Sequence, residues 1–209
     1  MHQEWNPVAV IDIGSNAVRL VVFHDAARVP VQLHTERTIC GLGKQLNKTG
    51  RLNPDGVRMA LDSLARFHAL IQAMKIKNVQ VVATAALRDA TDGPDFVQQV
   101  EEDFGLKINV IPGEEEARLS ALGVVANHGR INGLIGDFGG GSLELIGVTD
   151  GKITRQTSLP LGALRVMAYA DEAERHAYIK KHLATLDLSA YQGQRFYVLG
   201  GAWRTLGKA

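Results

Sequence analysis

The segment Val10-Ile11-Asp12-Ile13-Gly14-Ser15-Asn16-Ala17-Val18-Arg19-Leu20 returns about 125 residues later as Ile135-Gly136-Asp137-Phe138-Gly139-Gly140-Gly141-Ser142-Leu143-Glu144-Leu145. In each copy an apolar run ends in aspartate, a glycine turn follows, and a second apolar run leaves the turn. Asp12 aligns with Asp137, Gly14 with Gly139, Val18 with Leu143 and Leu20 with Leu145. The segments after each copy continue in the same way, with a further strand and then alternating helix and strand. A repeated supersecondary unit limits the fold more than composition does. It predicts two similar α/β domains in tandem, residues 1–125 and 126–209.

The pattern between the copies fits that division. Val29–Thr38 reads as a third strand, and a loop rich in glycine and asparagine follows, carrying Lys44, Lys48 and Arg51. Asn53-Pro54-Asp55 opens a helix. Its expected buried stripe is Met59, Leu61, Leu64, Phe67, Leu70, Ile71 and Met74, at helical spacing. Val79–Ala83 and Ile108–Ile111 are strands, with a helix from Pro94 to Phe104 between them that closes on Gly105. Glu114–Val125 is another helix. In the second half, Asp150-Gly151 between Leu143–Val148 and Lys152–Leu159 is a strong hairpin signal. Helices are expected around Leu164–Tyr169 and Asp171–Leu186, and a short strand at Phe196–Leu199 precedes the Gly200-Gly201 pair.

Composition excludes several classes. With 45% hydrophobic and 22% charged residues the chain is an ordinary globular protein. A net charge of +1 provides no basic field for nucleic acid. No apolar run approaches a membrane span, and the N-terminus has no apolar signal core. The lone Cys40 rules out an internal disulfide and points to a reducing, cytoplasmic setting. No His lies near Cys40 in sequence to form a dyad, so the thiol reads as packed rather than nucleophilic. The seven His have no metal-ligand spacing.

A strand that ends in Asp before a tight glycine turn supports phosphate chemistry. The turn aims backbone N–H groups at one point, which suits a phosphate oxygen. The Asp beside it can hold a cation or a cation-bound water. One such hairpin is equally a plain β-turn; two copies favour a clamp across a cleft. Ser142 and Glu144 fall on one strand face, so Asp137, Ser142 and Glu144 can converge on one cation, for which Mg²⁺ is suited. Taken alone, Glu144 also reads as a solvated strand residue. In Pro112-Gly113-Glu114-Glu115-Glu116-Ala117-Arg118 the acidic residues suit the first turn of a helix by its dipole alone. A catalytic reading needs one of the three to position a water, and the spacing does not choose among them. Arg88 is either a phosphate clamp or the partner of adjacent Asp89.

These segments, together with Ala83-Thr84-Ala85-Ala86-Leu87-Arg88-Asp89-Ala90 and Val198-Leu199-Gly200-Gly201-Ala202, resemble the exopolyphosphatase / guanosine pentaphosphate phosphatase family. That family lies within the actin-like ATPase and sugar-kinase superfamily. The resemblance implies two tandem ribonuclease H-like domains with mixed sheets and an active site in the cleft between them. It implies removal of terminal phosphate from inorganic polyphosphate, or conversion of guanosine pentaphosphate to tetraphosphate, with Mg²⁺ as cofactor. Carried over residue by residue, Glu116 is the catalytic base and Asp137 with Glu144 supports metal and water. Asn16, Arg88 and Ser142 contact phosphate, alongside the turns formed by Asp12, Gly14 and Ser15 and by Gly139, Gly140 and Gly141. The family also implies a homodimer. Its members run on beyond Gly200-Gly201-Ala202-Trp203, so the second domain is expected to be incomplete at its C-terminal end. The alternatives are an ATP-dependent kinase or ATPase of the same superfamily, with Gly200-Gly201-Ala202 at the adenosine position, and a non-catalytic binder of guanosine polyphosphates.

Overall fold

The computed structural model describes residues 5–206. The chain divides into two compact units, Met1–Ile111 and Pro112–Ala209. The first is built on β1 (Val8–Ile13), β2 (Ala17–Phe23), β3 (Gln32–Ile39), β4 (Asn78–Ala83) and β5 (Ile108–Val110), in the order β3-β2-β1-β4-β5. The first three strands are antiparallel, and β4 and β5 continue the sheet in parallel. Four helices belong to this unit: α1 (Leu46–Thr49), α2 (Pro54–Ala73), α3 (Ala85–Asp89) and α4 (Gly93–Phe104).

Period-2 alternation sets which sheet face is buried. Ala9, Ile11 and Ile13 of β1 and Val18, Leu20 and Val22 of β2 pack in one core with Leu64, Phe67 and Ile71 of α2 and Phe96 and Val100 of α4. Each large side chain so buried contributes about 1.5–3 kcal/mol. The other face carries Asp12, Arg19 and Arg37, which are adjacent across β1, β2 and β3 and exposed. Helix α2 starts with Pro54 in its first turn, where a missing N–H costs nothing. Its stripe differs from the expected one at one position. Met59 is 39% exposed, and Gly56, Ala60 and Ser63 face the core instead. Gly56 is there because its Cα lies against the Cys40 carbonyl, 2.8 Å from where a Cβ would stand. The residues after β4 form the short helix α3.

The second unit starts with α5 (Gly113–His128) and contains β6 (Gly133–Phe138), β7 (Leu143–Thr149), β8 (Lys152–Leu159) and β9 (Arg195–Leu199), in the order β8-β7-β6-β9. β6, β7 and β8 are antiparallel neighbours and β9 is parallel to β6. Helices α6 (Ala163–Val166) and α7 (Glu172–Leu183) follow β8, and α8 (Gly201–Leu206) follows β9. This sheet is covered on both faces. Ala117, Ala121 and Val124 of α5 pack on Ile135, Ile146 and Val148. On the other side Tyr178 and Ile179 of α7 pack on Leu145, Leu159 and Leu161. The α5 contacts explain why the division falls before Pro112, whereas the sequence reading placed it near residue 125: the helix belongs to the second core. Asp150 (φ 49) and Gly151 (φ 73) take the two left-handed positions of the expected hairpin turn. Among the described residues, no helix is long and apolar enough to cross a membrane.

Candidate active site

Both glycine turns close with the same bond. Gly14 N–H donates to the Ala17 carbonyl at 3.0 Å, and Gly139 N–H donates to the Ser142 carbonyl at 3.0 Å. Further bonds then pin the turn carbonyls. In the first unit the Ser15 oxygen accepts from Gly43 N–H at 2.8 Å, and the Asn16 oxygen accepts from the N–H groups of Cys40 and Gly41, both at 3.0 Å. In the second unit the Gly139 oxygen accepts from Ala163 N–H at 3.0 Å, and the Gly140 oxygen from Leu164 N–H at 2.9 Å. A trans peptide points its N–H opposite to its carbonyl, and among the described residues no peptide bond is cis. The N–H groups of Asn16 and Ala17 therefore point away from the loop that holds the first turn. Those of Gly140 and Gly141 point away from α6. Consecutive N–H groups aimed the same way make a seat for an anion.

The two turns carry different side chains. In the first, Asp12 lies across from Arg19 in the β1–β2 register, and both are exposed. Ser15 is buried at 4% exposure. Arg88 stands on α3. Its Nη1 donates to the Ile111 carbonyl at 2.9 Å, and its Nε lies 3.5 Å from Asp89. The guanidinium is thus held by the end of the sheet and by its neighbour in sequence.

In the second, Asp137 lies directly across from Glu144, and Glu144 directly across from Ser158. The three residues form a row over β6, β7 and β8, on the face that α5 covers. Glu144 is 1% exposed, so it is not the solvated strand residue that its sequence context also allowed. Its Oε1 accepts from Ser158 Oγ at 2.8 Å. Asp137 Oδ2 accepts from Ser120 Oγ of α5 at 2.6 Å. Residues directly opposite across an antiparallel pair have Cβ atoms about 4.5–5.5 Å apart. Two carboxylates at that spacing repel, and a shared cation relieves the repulsion. Among the described residues, no group of three or more His, Cys, Asp and Glu forms a complete metal cage. The pair fits Mg²⁺, which takes one or two carboxylates and fills its other positions with water and phosphate oxygens.

The three glutamates at the start of α5 separate in the structure. Glu114 is exposed. Glu115 accepts two bonds from Arg118, both at 2.7 Å, and these hold its carboxyl below the usual range. Glu116 is half-buried, one helical turn before Ser120. Residues four apart share a helix face, so Glu116 is on the side of α5 that reaches Asp137. Burial pushes the Cys40 thiol up, which keeps it protonated and packed.

Three residues of this site escape the sequence reading. Ser120 and Ser158 each hold one carboxylate. Gly162 packs its Cα on the backbone of Gly141 and Ser142, where any Cβ would overlap the turn. The position four after Glu116 was a usable signal for Ser120. Ser158 had none, because its place depends on a β-bulge. Register shifts between Gly147 and Val148, so that Thr149 pairs with Lys152 but Glu144 pairs with Ser158. An unbroken hairpin would put Thr157 there.

Each sheet has three antiparallel strands extended by parallel pairing, with an Asp-glycine turn after the first strand. This is the architecture of the actin-like ATPase class, and solved structures agree. An exopolyphosphatase from Cytophaga hutchinsonii superposes with a TM-score of 0.87 at 24% identity, covering 97% of this chain and 69% of that one. The Ppx/GppA family member from Aquifex aeolicus superposes with a TM-score of 0.75 at 28% identity, covering 96% and 68%. The model of the Ppx/GppA phosphatase family matches residues 20–181. The guanosine-5'-triphosphate,3'-diphosphate pyrophosphatase of Photobacterium profundum is 31% identical over 166 residues, which are 77% of this chain and 33% of that protein. The chain belongs to the Ppx/GppA phosphatase family. It spans about a third of the length of that curated relative.

Proposed function

We propose that this chain hydrolyses the terminal phosphoanhydride bond of inorganic polyphosphate, and of guanosine pentaphosphate to give the tetraphosphate. The observation that carries the reading is the pairing of half-buried Asp137 with buried Glu144 beside a turn whose N–H groups point outward, under the helix that bears Glu116. Family membership supports the same chemistry. Transfer of a phosphoryl group needs mainly positioning and charge stabilisation.

In this reading Glu116 orients a water and takes its proton as the water oxygen bonds to the terminal phosphorus. The bond from that phosphorus to the bridging oxygen breaks, and its electron pair leaves with the shortened chain. Asp137 and Glu144 would hold Mg²⁺, which would supply positive charge to offset that on the phosphoryl oxygens. The turn around Asp12, Gly14, Ser15 and Asn16 and the turn of Gly139, Gly140, Gly141 and Ser142 contact phosphate oxygens, as does Arg88 when its present partners yield to a stronger anion. We also infer a homodimer and a cytoplasmic setting. The first rests on the family and the second on a single, buried and unpaired cysteine.

The test is phosphate release from long-chain polyphosphate and from guanosine pentaphosphate, each with and without Mg²⁺. Glu116→Gln should lower the rate by about 10²–10⁴-fold, the usual contribution of a general base. Unchanged release by that variant removes Glu116 from the role.

A further inference from the structure

We propose that Ser120 is a positioning residue for the hydrolysis assigned above, an inference that rests on that assignment. Its hydroxyl fixes Asp137 and, through α5, sets the place of Glu116.

The Ser120 Oγ to Asp137 Oδ2 distance of 2.6 Å is among the shortest side-chain bonds in the chain. It is a charge-assisted bond, stronger than a neutral one. A serine within a helix commonly turns back to the carbonyl four residues earlier. Ser120 instead bonds across to the sheet, to the carboxylate beside the glycine turn. Its helix neighbours Ala117, Ala121 and Val124 are buried against that sheet, so the hydroxyl is the polar group within an apolar contact. The other oxygen of Asp137 faces Gly200, where a Cβ would come within 3.2 Å of Oδ1. Gly200 has φ +96, which a side chain rarely adopts. The carboxylate is therefore set from both sides, with one oxygen tied to α5 and the other next to the close approach at Gly200.

The position of Ser120 gives this bond a second effect. Glu116 precedes it by one turn, on the same face. A rigid helix anchored at Ser120 carries Glu116 at a fixed offset from Asp137. If the bond is lost, α5 keeps its apolar packing, yet the base and the acidic pair lose their common reference. Misplacement of about 1 Å far from the reacting atoms can cost about 10²-fold in rate. The alternative is that Ser120 only staples helix to sheet. The two differ in what Thr and Val do at this position: they have the same shape, and only Thr keeps the hydroxyl.

The experiment measures kcat and KM for phosphate release from long-chain polyphosphate and from guanosine pentaphosphate by the full chain, with urea unfolding of the same proteins. Ser120→Ala is expected to lower kcat about 10–100-fold, the usual range for a partner that orients a metal-supporting ligand, with KM within about twofold. Ser120→Thr should restore most of kcat and Ser120→Val should not. Independently of activity, Ser120→Ala should shift the urea midpoint when Asp137 is present and much less in an Asp137→Ala background, because a shared bond can be lost only once. The proposal is overturned by wild-type kcat in Ser120→Ala, by equal kcat in the Thr and Val variants, or by additive midpoint shifts. If the unmutated chain releases no phosphate from long-chain polyphosphate or from guanosine pentaphosphate, the assigned hydrolysis fails and this inference with it. That failure shows in the wild type, before any Ser120 variant is made.

Discussion

The turn at Asp12–Asn16 and the turn at Asp137–Ser142 have the same backbone and different surroundings. Both close with one bond from a glycine N–H to a carbonyl three residues on. Across from its aspartate, the first has Arg19 and the second Glu144. The first aspartate is on the uncovered face of its sheet; the second is on the face under α5. The first turn is held by a loop, through Cys40, Gly41 and Gly43, and the second by the start of α6. The local sequence thus sets the same turn geometry twice. What stands beside the turn is decided by the cross-strand partner and by the helix above. Under the proposed function, the side with Arg19 across from an exposed aspartate would contact phosphate, and the side with two carboxylates under a helix would hold the metal.

The largest effect that would break this contrast is on activity. Glu144→Gln should lower phosphate release by about 10²–10³-fold, the usual loss when one electrostatic contributor to the transition state is removed. The same change should leave the midpoint of unfolding equal or higher, because a buried carboxylate beside another is unfavourable in the absence of a cation. A fall in both activity and stability would make Glu144 a structural residue. Next in size is a pair of glycine substitutions. Gly162→Ala places a methyl group into the backbone of Gly141 and Ser142 and should cost about 3 kcal/mol of stability or more. Gly43→Ala meets the Ser15 Cβ at 3.0 Å and the Ser15 backbone and hydroxyl oxygens at an ordinary 3.5 Å, and should cost about 1 kcal/mol. Denaturant titration of the two variants compares how firmly each turn is held, and equal costs would remove the distinction.

The smallest effect concerns the glutamates of α5. Glu115 has its carboxyl lowered from an ordinary value of 4.5 by the Arg118 hydrogen bonds. A lowered carboxyl stabilises the folded state above the unfolded value, and the gain is lost as the pH falls through the folded one. Glu115→Gln should therefore lower the melting temperature slightly at pH 7, and the difference should vanish as the medium is acidified below about 4.5. Phosphate release should respond far less to this change than to Glu116→Gln. Equal losses would mean that the two glutamates share the work.

Much of this was legible in the sequence because it rests on short-range rules. The strand and turn order, the Asp150-Gly151 hairpin, the N-terminal proline of α2 and the acidic start of α5 all follow from residues within a few positions of each other. The misreadings are of another kind. Hydrophobicity puts Met59 in the buried stripe, but Gly56, packed against Cys40, faces the core with Ala60 and Ser63. Helix α5 follows the first domain in sequence, yet its small buried residues fit only the second sheet.

The sequence by itself determined the two Asp-glycine turns and the strands that flank them, since such a turn needs only residues adjacent in the chain. Only the tertiary structure decided that Glu144 is buried, that Glu115 is tied to Arg118, and that Ser120 and Ser158 hold the two carboxylates. The reason is range. Turn geometry is set by neighbours in the chain, whereas burial depends on which helix covers a sheet face. The pairing of Ser158 depends on one bulged residue that shifts every later partner of its strand by one.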